Sequence, residues 1–264
     1  MTSTTTTDAP SRRSARRIAP SILALAFWLG VWQIAAWSVD REFLLASPAR
    51  VLARLGELVI TGDFWTTVAS SLSRIGVGFL AAALIGALGA SLASTSRIVD
   101  ALVSPLIATM RSAPVVSFII LVLLWTDTSR LAAVTSFLMV MPVMYVNVLE
   151  GIRHRDRALL EFATVFRVPP LRRIRAIDVP AVLPFFSAAC RTGVGLAWKS
   201  GVAAEVIGVA RGSIGEQLYE AKLFLDSAGL FAWTVVIVAL SVACEALVLA
   251  FLRRVDTRVA GSLA

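Results

Sequence analysis

The sequence predicts an all-α, polytopic membrane protein with six transmembrane helices. Its 264 residues are 58% hydrophobic and only 16% charged, whereas a soluble domain is about half apolar and about a quarter charged. The apolar residues also fall into separate runs, most of them close to the roughly 20 residues that one membrane crossing needs. Finally, the arginines cluster at the ends of these runs, which is typical of residues that flank transmembrane helices.

Six apolar runs follow one another along the chain: 21–37, 75–92, 114–125, 131–148, 182–198 and 230–252. Helices are expected because backbone groups in lipid must form their hydrogen bonds within the segment. The third run is short, and we expect residues 102–110 to extend it as a kinked or partly cytoplasmic helix. The link at 126–130 is also short, so the third and fourth spans should form an outward hairpin.

The distribution of charge predicts the orientation, because cytoplasmic loops of membrane proteins are rich in arginine and lysine. Four arginines precede the first run, three follow the last, and seven lie between the fourth and fifth runs. Both termini and this basic loop are therefore predicted to face the cytoplasm. The loop between the fifth and sixth spans is acidic and is predicted to face outward; we assigned to it Glu205, Glu216, Glu220 and Asp226.

These spans divide the chain into a cytoplasmic tail that we expect to be disordered, a first transmembrane helix, an outer loop, a five-helix core and a second cytoplasmic tail. The corresponding residues are 1–18, 19–38, 39–64, 65–254 and 255–264, with a cytoplasmic loop at about 150–181 in the core. Within the outer loop, Ser47 and Pro48 form a helix-start signal,. The apolar residues that follow predict an amphipathic helix lying flat at the outer surface and ending at Gly62.

Several other function classes are disfavoured by the composition. The net charge of +8 would suit a nucleic-acid-binding protein, but the arginines flank apolar runs instead of forming a stripe on a soluble face. The two cysteines each lie inside an apolar run and the one histidine has no partner set, so we predict no metal site and no catalytic residues. A membrane-bound transferase would need clustered carboxylates, and the loops offer only Asp100, Asp156 and Asp178.

The stretch from Glu161 to Pro180 resembles the signature of ABC importer permeases. The family pattern is Glu-Ala-Ala, three residues, Gly, nine residues, Ile, one residue and Leu-Pro. Glu161, Ala163, Ile177 and Pro180 match it at the correct spacing. Phe162 and Val179 are substitutions, Arg167 replaces the glycine, and Pro169-Pro170 follows. Segments 46–51 and 195–208 are similar to parts of nitrate-, sulfonate- and taurine-type permeases.

This resemblance implies the type I ABC importer permease fold, a location in a bacterial inner membrane and a transport subunit that is not itself an enzyme. It further implies three protein partners: an ABC ATPase subunit that binds the ATP, an extracytoplasmic solute-binding protein and a second permease copy in a homodimer. The chain itself would bind no cofactor. The expected cargo is a small organic or inorganic anion such as a sulfonate, taurine or nitrate. The alternative is a secondary transporter or channel driven by an ion gradient.

If the chain is an ABC importer permease, the basic loop is expected to transmit movement from the ATPase to the membrane helices. The residues expected to form this coupling loop are Arg157, Glu161, Ala163, Arg167, Ile177 and Pro180. We expect a short helix from about Arg157 to Val168, with Glu161 holding the following turn through a hydrogen bond or an arginine pair. Because an arginine cannot replace the backbone freedom of glycine, Pro169 and Pro170 are expected to stop the helix instead.

Ionisable residues inside membrane spans are candidates for function. On this basis Lys199, Glu205 and Arg191 are predicted to line the translocation path, where lysine would attract an anionic solute. Two alternatives for Lys199 are an ion pair with Glu205 and snorkelling to the interface. Glu245 is expected to pair with Arg191. Glycines of the second span are expected to permit the close helix approach of a paired core; they are Gly76, Gly78, Gly86 and Gly89.

Overall fold

The computed structural model describes residues 12–39, 41 and 43–261, and side chains within 23–254 except those of 25, 40 and 42. All regular elements in these residues are helical, as the sequence predicts. They begin with α1 (Arg12–Val39), α2 (Pro48–Val59), α3 (Gly62–Thr95), α4 (Arg97–Ser112), α5 (Val115–Leu123) and α6 (Thr128–Arg153). They continue with α7 (Arg157–Val165), α8 (Pro170–Arg173), a π-helical segment (Ile174–Asp178), α9 (Val179–Gly208), α10 (Ile214–Leu223) and α11 (Ser227–Gly261).

Four helical stretches of the described residues are long and apolar enough to cross a membrane: Gly62–Thr95, Thr128–Arg153, Pro170–Gly208 and Ser227–Arg254. They correspond to the predicted spans two, four, five and six. The predicted disorder of residues 1–11 lies outside the described residues. Helix α1 begins at Arg12, before the predicted start at residue 19, and its described apolar part, Ala26–Val39, is shorter than a full span.

The region of the third predicted span consists of two helices that meet at a sharp angle. Helices α4 and α5 meet the criteria for a span only as a pair, and they bend by 105° at the break between them. Pro114 explains the position of the break, because a proline disfavours helical geometry in the preceding residue, and Ala113 is extended with φ −78° and ψ 140°. Helix α5 alone has nine residues, about 14 Å, so it cannot cross a bilayer by itself.

Helix α6 lies at the centre of the fold and packs against α3 on one side and α9 on the other. Gly78 of α3 allows one of these contacts, because a β-carbon there would overlap the carbonyl oxygen of Ala133 in α6. Ser136 of α6 donates a hydrogen bond of 2.9 Å to the carbonyl of Ala197 in α9. Gly78 therefore serves packing within one chain, whereas a β-carbon at Gly76 would point into open space, with no neighbour within 4 Å.

The predicted outer amphipathic helix is present as α2. Ser47 caps it by accepting a hydrogen bond from the backbone of Arg50 at 3.4 Å, and Pro48 is its first residue. Val51 is 2% exposed and packs beside Ala232 of α11. The predicted end at Gly62 is wrong, because Gly62 begins α3 and Thr61 caps that next helix. Helix α2 is thus packed against the last span.

Candidate functional site

The coupling loop contains the short helix that the sequence predicts, but this helix is three residues shorter. Asp156 caps α7 by accepting a 2.8 Å hydrogen bond from the backbone of Ala158. Ala163 is 3% exposed, so the alanine of the signature faces the protein interior. Helix α7 ends at Val165 and not at Val168.

Arg167 ends this helix by adopting the left-handed conformation, with φ +49°. The backbone amide of Val168 donates to the carbonyl of Ala163 at 2.9 Å, and that of Arg167 donates to Thr164 at 3.2 Å. These two bonds form a Schellman motif, which usually contains glycine at the left-handed position. The expectation that the prolines stop the helix is wrong: Arg167 does so with the backbone geometry of the missing glycine, and Pro170 instead starts α8.

The other signature residues have different environments. Glu161 is exposed, and the predicted hydrogen bond or arginine pair is absent from the part of the chain that the structure describes. Arg157, the first residue of α7, is also exposed. Ile177 lies half-buried in the π-helical segment, and Pro180 is the second residue of α9. Since proline inside a helix loses a hydrogen bond and clashes with the preceding turn, the wider π turn accommodates it.

An ion pair that the sequence analysis missed closes the base of the coupling loop. Arg155 Nη1 lies 2.6 Å from Asp178 Oδ1, and Arg155 Nε donates to the carbonyl of Ile152 at 2.7 Å. Arg173 Nε lies 3.6 Å from the second oxygen of Asp178. The pair joins the end of α6 to the start of α9, the two spans that the loop connects. Asp178 follows the basic run directly, and this position was the only sequence signal for the pair.

Apolar side chains of the loop are exposed on and beyond α7, and we call them the coupling patch. Phe162 and Phe166 have ring centroids 4.3 Å apart and are 55% and 66% exposed. The remaining members are Leu159, Val165, Leu171 and Ile174, all at least 47% exposed. Contiguous exposed apolar surface rimmed by charge is typical of a protein interface. In the sequence, Phe162 was visible only as a departure from the signature.

Two of the predicted path residues share an exposed side of α9. Arg191 and Lys199 are both exposed, and eight residues of helix separate them by about 12 Å along the axis. Arg191 Nε lies 3.9 Å from Glu245 Oε1 of α11, so the expected pairing is confirmed. Lys199 forms no ion pair among the described residues, and the predicted pair with Glu205 is wrong.

A cavity of about 450 Å³ lies between the N-terminal half of α9 and the C-terminal half of α11. Two guanidinium groups, those of Arg191 and Arg253, line it together with the hydroxyl side chains of Ser187 and Thr192. Its other lining residues are apolar or small: Leu183, Pro184, Ala188, Leu249 and Leu252. The arrangement offers positive charge and hydrogen-bond donors, the groups that bind an oxyanion.

Glu205 belongs to a buried network at the other end of α9 and is not part of the acidic loop to which we assigned it. The residue is 0% exposed. Its Oε2 accepts hydrogen bonds from the Ser71 hydroxyl at 2.8 Å and from the Gly215 amide at 3.3 Å. Ser71 in turn accepts from the Ile214 amide at 2.9 Å. A β-carbon at Gly215 would overlap Glu205, so the glycine allows α10 to reach the carboxylate.

Comparison with known proteins gives a family match over most of the chain. Residues 75–261 match the model of the "Binding-protein-dependent transport system inner membrane component" family. The matched region includes the coupling loop, both cationic positions of α9, and Glu205 with Ile214 and Gly215 of α10, whereas Ser71 lies just before it.

Individual relatives are similar over comparable lengths. A Bacillus subtilis protein provisionally named as an aliphatic sulfonates transport permease is 27% identical over 81% of this chain and 78% of its own length. A protein of the same name from Escherichia coli is 29% identical over 83% of both chains. The bicarbonate transport system permease protein CmpB of Synechococcus elongatus is 29% identical over 55% of this chain and 52% of its own.

Proposed function

Because this chain belongs to the binding-protein-dependent transport system inner membrane component family, we propose that it is the permease subunit of an ATP-driven importer for a small anion. It is a multi-pass inner-membrane transport component and not an enzyme. In the proposed assembly, two copies form the translocation pathway, two ATPase subunits bind and hydrolyse ATP, and an extracytoplasmic binding protein delivers the solute. Both termini and the coupling loop face the cytoplasm.

The coupling patch on α7 is the observation that carries this proposal. A permease without a nucleotide site needs a rigid element that an ATPase can push, and that element must be joined firmly to a span. Helix α7 offers exposed phenylalanines on its surface, while the 2.6 Å pair between Arg155 and Asp178 fixes the base of its loop to α6 and α9. Movement of the patch would therefore reach both spans together.

The cationic side of α9 supports an anion as cargo. Arg191 and Lys199 are exposed inside a membrane-spanning helix, where a charge is costly unless it faces water, a partner group or a solute. Arg191 has a partner in Glu245, whereas Lys199 forms no ion pair among the described residues. A path between two permease copies would let Lys199 face water or a solute. The names of the sulfonate and bicarbonate permeases among the relatives fit the same charge class.

Uptake into proteoliposomes tests the function. The chain would be reconstituted with an ATPase that co-purifies with it and with its candidate binding protein, and sulfonates, taurine, nitrate and bicarbonate would first be screened by the thermal shift of the binding protein. We expect uptake of the stabilising solute only with ATP and with all three components. Uptake that follows an imposed ion gradient without the ATPase would instead establish a secondary transporter or channel.

Replacing Lys199 tests the path separately. We expect Lys199→Met to lower the uptake rate by about tenfold, since one favourable contact between charges in the pathway contributes on the order of 1.4 kcal/mol. Lys222→Met, at the end of α10, is the matched control and should leave uptake unchanged. Equal uptake by the Lys199 variant and the original protein would remove this lysine from the path.

A further inference from the structure

Two adjoining cavities lie where the ends of α3 and α6 meet the start of α4 and the coupling loop. The first, of about 540 Å³, is basic; its charged lining residues are Arg97, Arg153, Arg155, Arg157 and Asp100, with hydroxyl groups from Ser94, Thr95 and Ser96. The second, of about 530 Å³, is largely apolar and is lined by residues that include Val148, Val182, Leu183 and Phe186. Ser94, Thr95, Ile152 and Arg155 line both cavities.

The basic cavity retains positive charge that this chain does not neutralise. Arg153 pairs with Asp100 at 3.1 Å, and Arg155 pairs with Asp178 at 2.6 Å. Among the described residues, no carboxylate forms an ion pair with Arg97 or Arg157. The Ser94 and Thr95 hydroxyls donate to backbone carbonyls of α3, whereas the Ser96 hydroxyl accepts from the Val99 amide and keeps its own proton. Two guanidinium groups and the Ser96 hydroxyl are therefore available to an anion.

The positions of these two arginines are unfavourable for the helices themselves. Arg97 is the first residue of α4 and Arg157 the first residue of α7. A cation at a helix N-terminus opposes the helix dipole, whereas an anion there is stabilised. A bound phosphate would reverse this cost at both helices, and arginine binds phosphate through two parallel hydrogen bonds.

The apolar cavity and the neighbouring apolar surface favour a ligand that also carries an apolar group, which a free anion lacks. Exposed apolar side chains flank the basic cavity on α3 and α4: Leu88, Leu92, Ile98, Leu102 and Leu106 are each at least 55% exposed. We propose that the paired cavities bind one anionic phospholipid, with its phosphate among Arg97, Arg157 and the Ser96 hydroxyl and an acyl chain in the apolar cavity. Basic pockets between helices at the cytoplasmic side are suited to such headgroups.

The site joins the coupling loop to the lipid bilayer. Arg157 lies on α7 and Arg97 on α4, so a shared phosphate would connect these two helices, whereas the Arg153–Asp100 pair joins α4 to α6. The bound lipid would therefore hold the coupling helix at the inner membrane surface. This role is independent of the identity of the transported solute.

Native mass spectrometry of the full chain, purified with its partner subunits and stripped of lipid, tests the proposal. The probes are phosphatidylglycerol, phosphatidylcholine with the same acyl chains, and glycerol phosphate as a headgroup without chains. We expect phosphatidylglycerol to bind at least about fivefold more tightly than phosphatidylcholine. Equal binding of the two lipids, or binding of glycerol phosphate as tight as that of phosphatidylglycerol, would overturn the proposal.

Variants locate the site. We expect Arg97→Gln to weaken phosphatidylglycerol binding about fivefold, and Arg175→Gln, an exposed coupling-loop arginine that does not line the cavity, to leave it unchanged. Ser91→Trp should fill part of the apolar cavity and weaken the lipid but not glycerol phosphate. Arg97, Arg175 and Ser91 are all exposed, so none of these variants removes core packing. Unchanged lipid affinity in Arg97→Gln, or equal losses in the Arg175 control, would refute the assignment.

Discussion

The two ends of α9 are held in opposite ways. Its N-terminal end, which we propose to be the inner one, is held by the Arg155–Asp178 ion pair, whose side chains are 21% and 18% exposed, beside an exposed apolar patch. Its C-terminal end, which we propose to be the outer one, is held by Glu205, which is 0% exposed and hydrogen-bonded to Ser71 and to the start of α10. The N-terminal end therefore has exposed apolar surface that a partner can bind, whereas the C-terminal end is part of the protein interior. Substitutions should separate these two roles.

The largest effect is expected at the outer end, from Glu205→Ala. This change leaves the Ser71 hydroxyl and the Gly215 amide without their buried acceptor, and each unsatisfied group costs about 1–3 kcal/mol. We expect a total loss of about 3 kcal/mol of stability and a fall in melting temperature on the order of 10 °C. Thermal unfolding of the purified protein in detergent measures this.

Glu205→Gln is the matched control for that experiment, because the amide oxygen can accept both hydrogen bonds. It should lose less than about 1 kcal/mol. If Glu205→Gln and Glu205→Ala lower the stability equally, the negative charge and not the hydrogen-bond acceptor would hold this end of α9. The contrast between the two ends of the helix would then weaken.

At the inner end, Phe162→Asp should affect assembly and not folding. The ring is 55% exposed, so its loss leaves the isolated chain almost unchanged. A buried aromatic residue at an interface contributes about 2 kcal/mol or more. We therefore expect at least about tenfold weaker association with the ATPase subunit, with the melting temperature of the permease retained.

Phe43→Asp is the control for the coupling patch, since Phe43 is a similarly exposed phenylalanine, at 48%, in the connection between α1 and α2. Association of the ATPase should be the same in this variant and in the original protein, measured by co-purification across a range of ATPase concentrations. Weakening of the same size in both variants would show that the patch has no special role.

Local signals predicted a large part of this architecture. The cap at Ser47, the start of α7 at Arg157 and the break near Pro114 each follow from residues within one or two helical turns. The buried position of Glu205 could not be predicted in this way, because its partner Ser71 lies 134 residues earlier in the chain. The Arg155–Asp178 pair likewise requires the coupling loop to fold back on itself. The Arg191–Glu245 pair could be predicted because both residues lie within apolar spans that follow each other in the chain, where a charge needs a partner,.

Asp178→Asn should have an intermediate effect, since it weakens the pair at the base of the loop without altering the patch. A partly exposed ion pair contributes about 1 kcal/mol. We expect a few-fold rise in the ATP hydrolysed per solute transported, because the loop can then move without moving α6 and α9. Arg173→Gln removes only the longer 3.6 Å contact with Asp178 and should change this ratio less.

The smallest effect, and the only stabilising one, is expected from Arg167→Gly. Arg167 has φ +49°, and a non-glycine residue in the left-handed region costs roughly 1–2 kcal/mol. Glycine removes that strain but gains entropy in the unfolded chain, which costs about 0.5–1 kcal/mol, so the net gain is about 0.5 kcal/mol.

Arg167→Ala keeps the strain and should show no gain in thermal unfolding. A gain of equal size in both variants would mean that the side chain and not the backbone is unfavourable at this turn. A gain in stability in Arg167→Gly alone would show that this turn keeps a backbone geometry suited to glycine, although the sequence has arginine at the glycine position of the family signature.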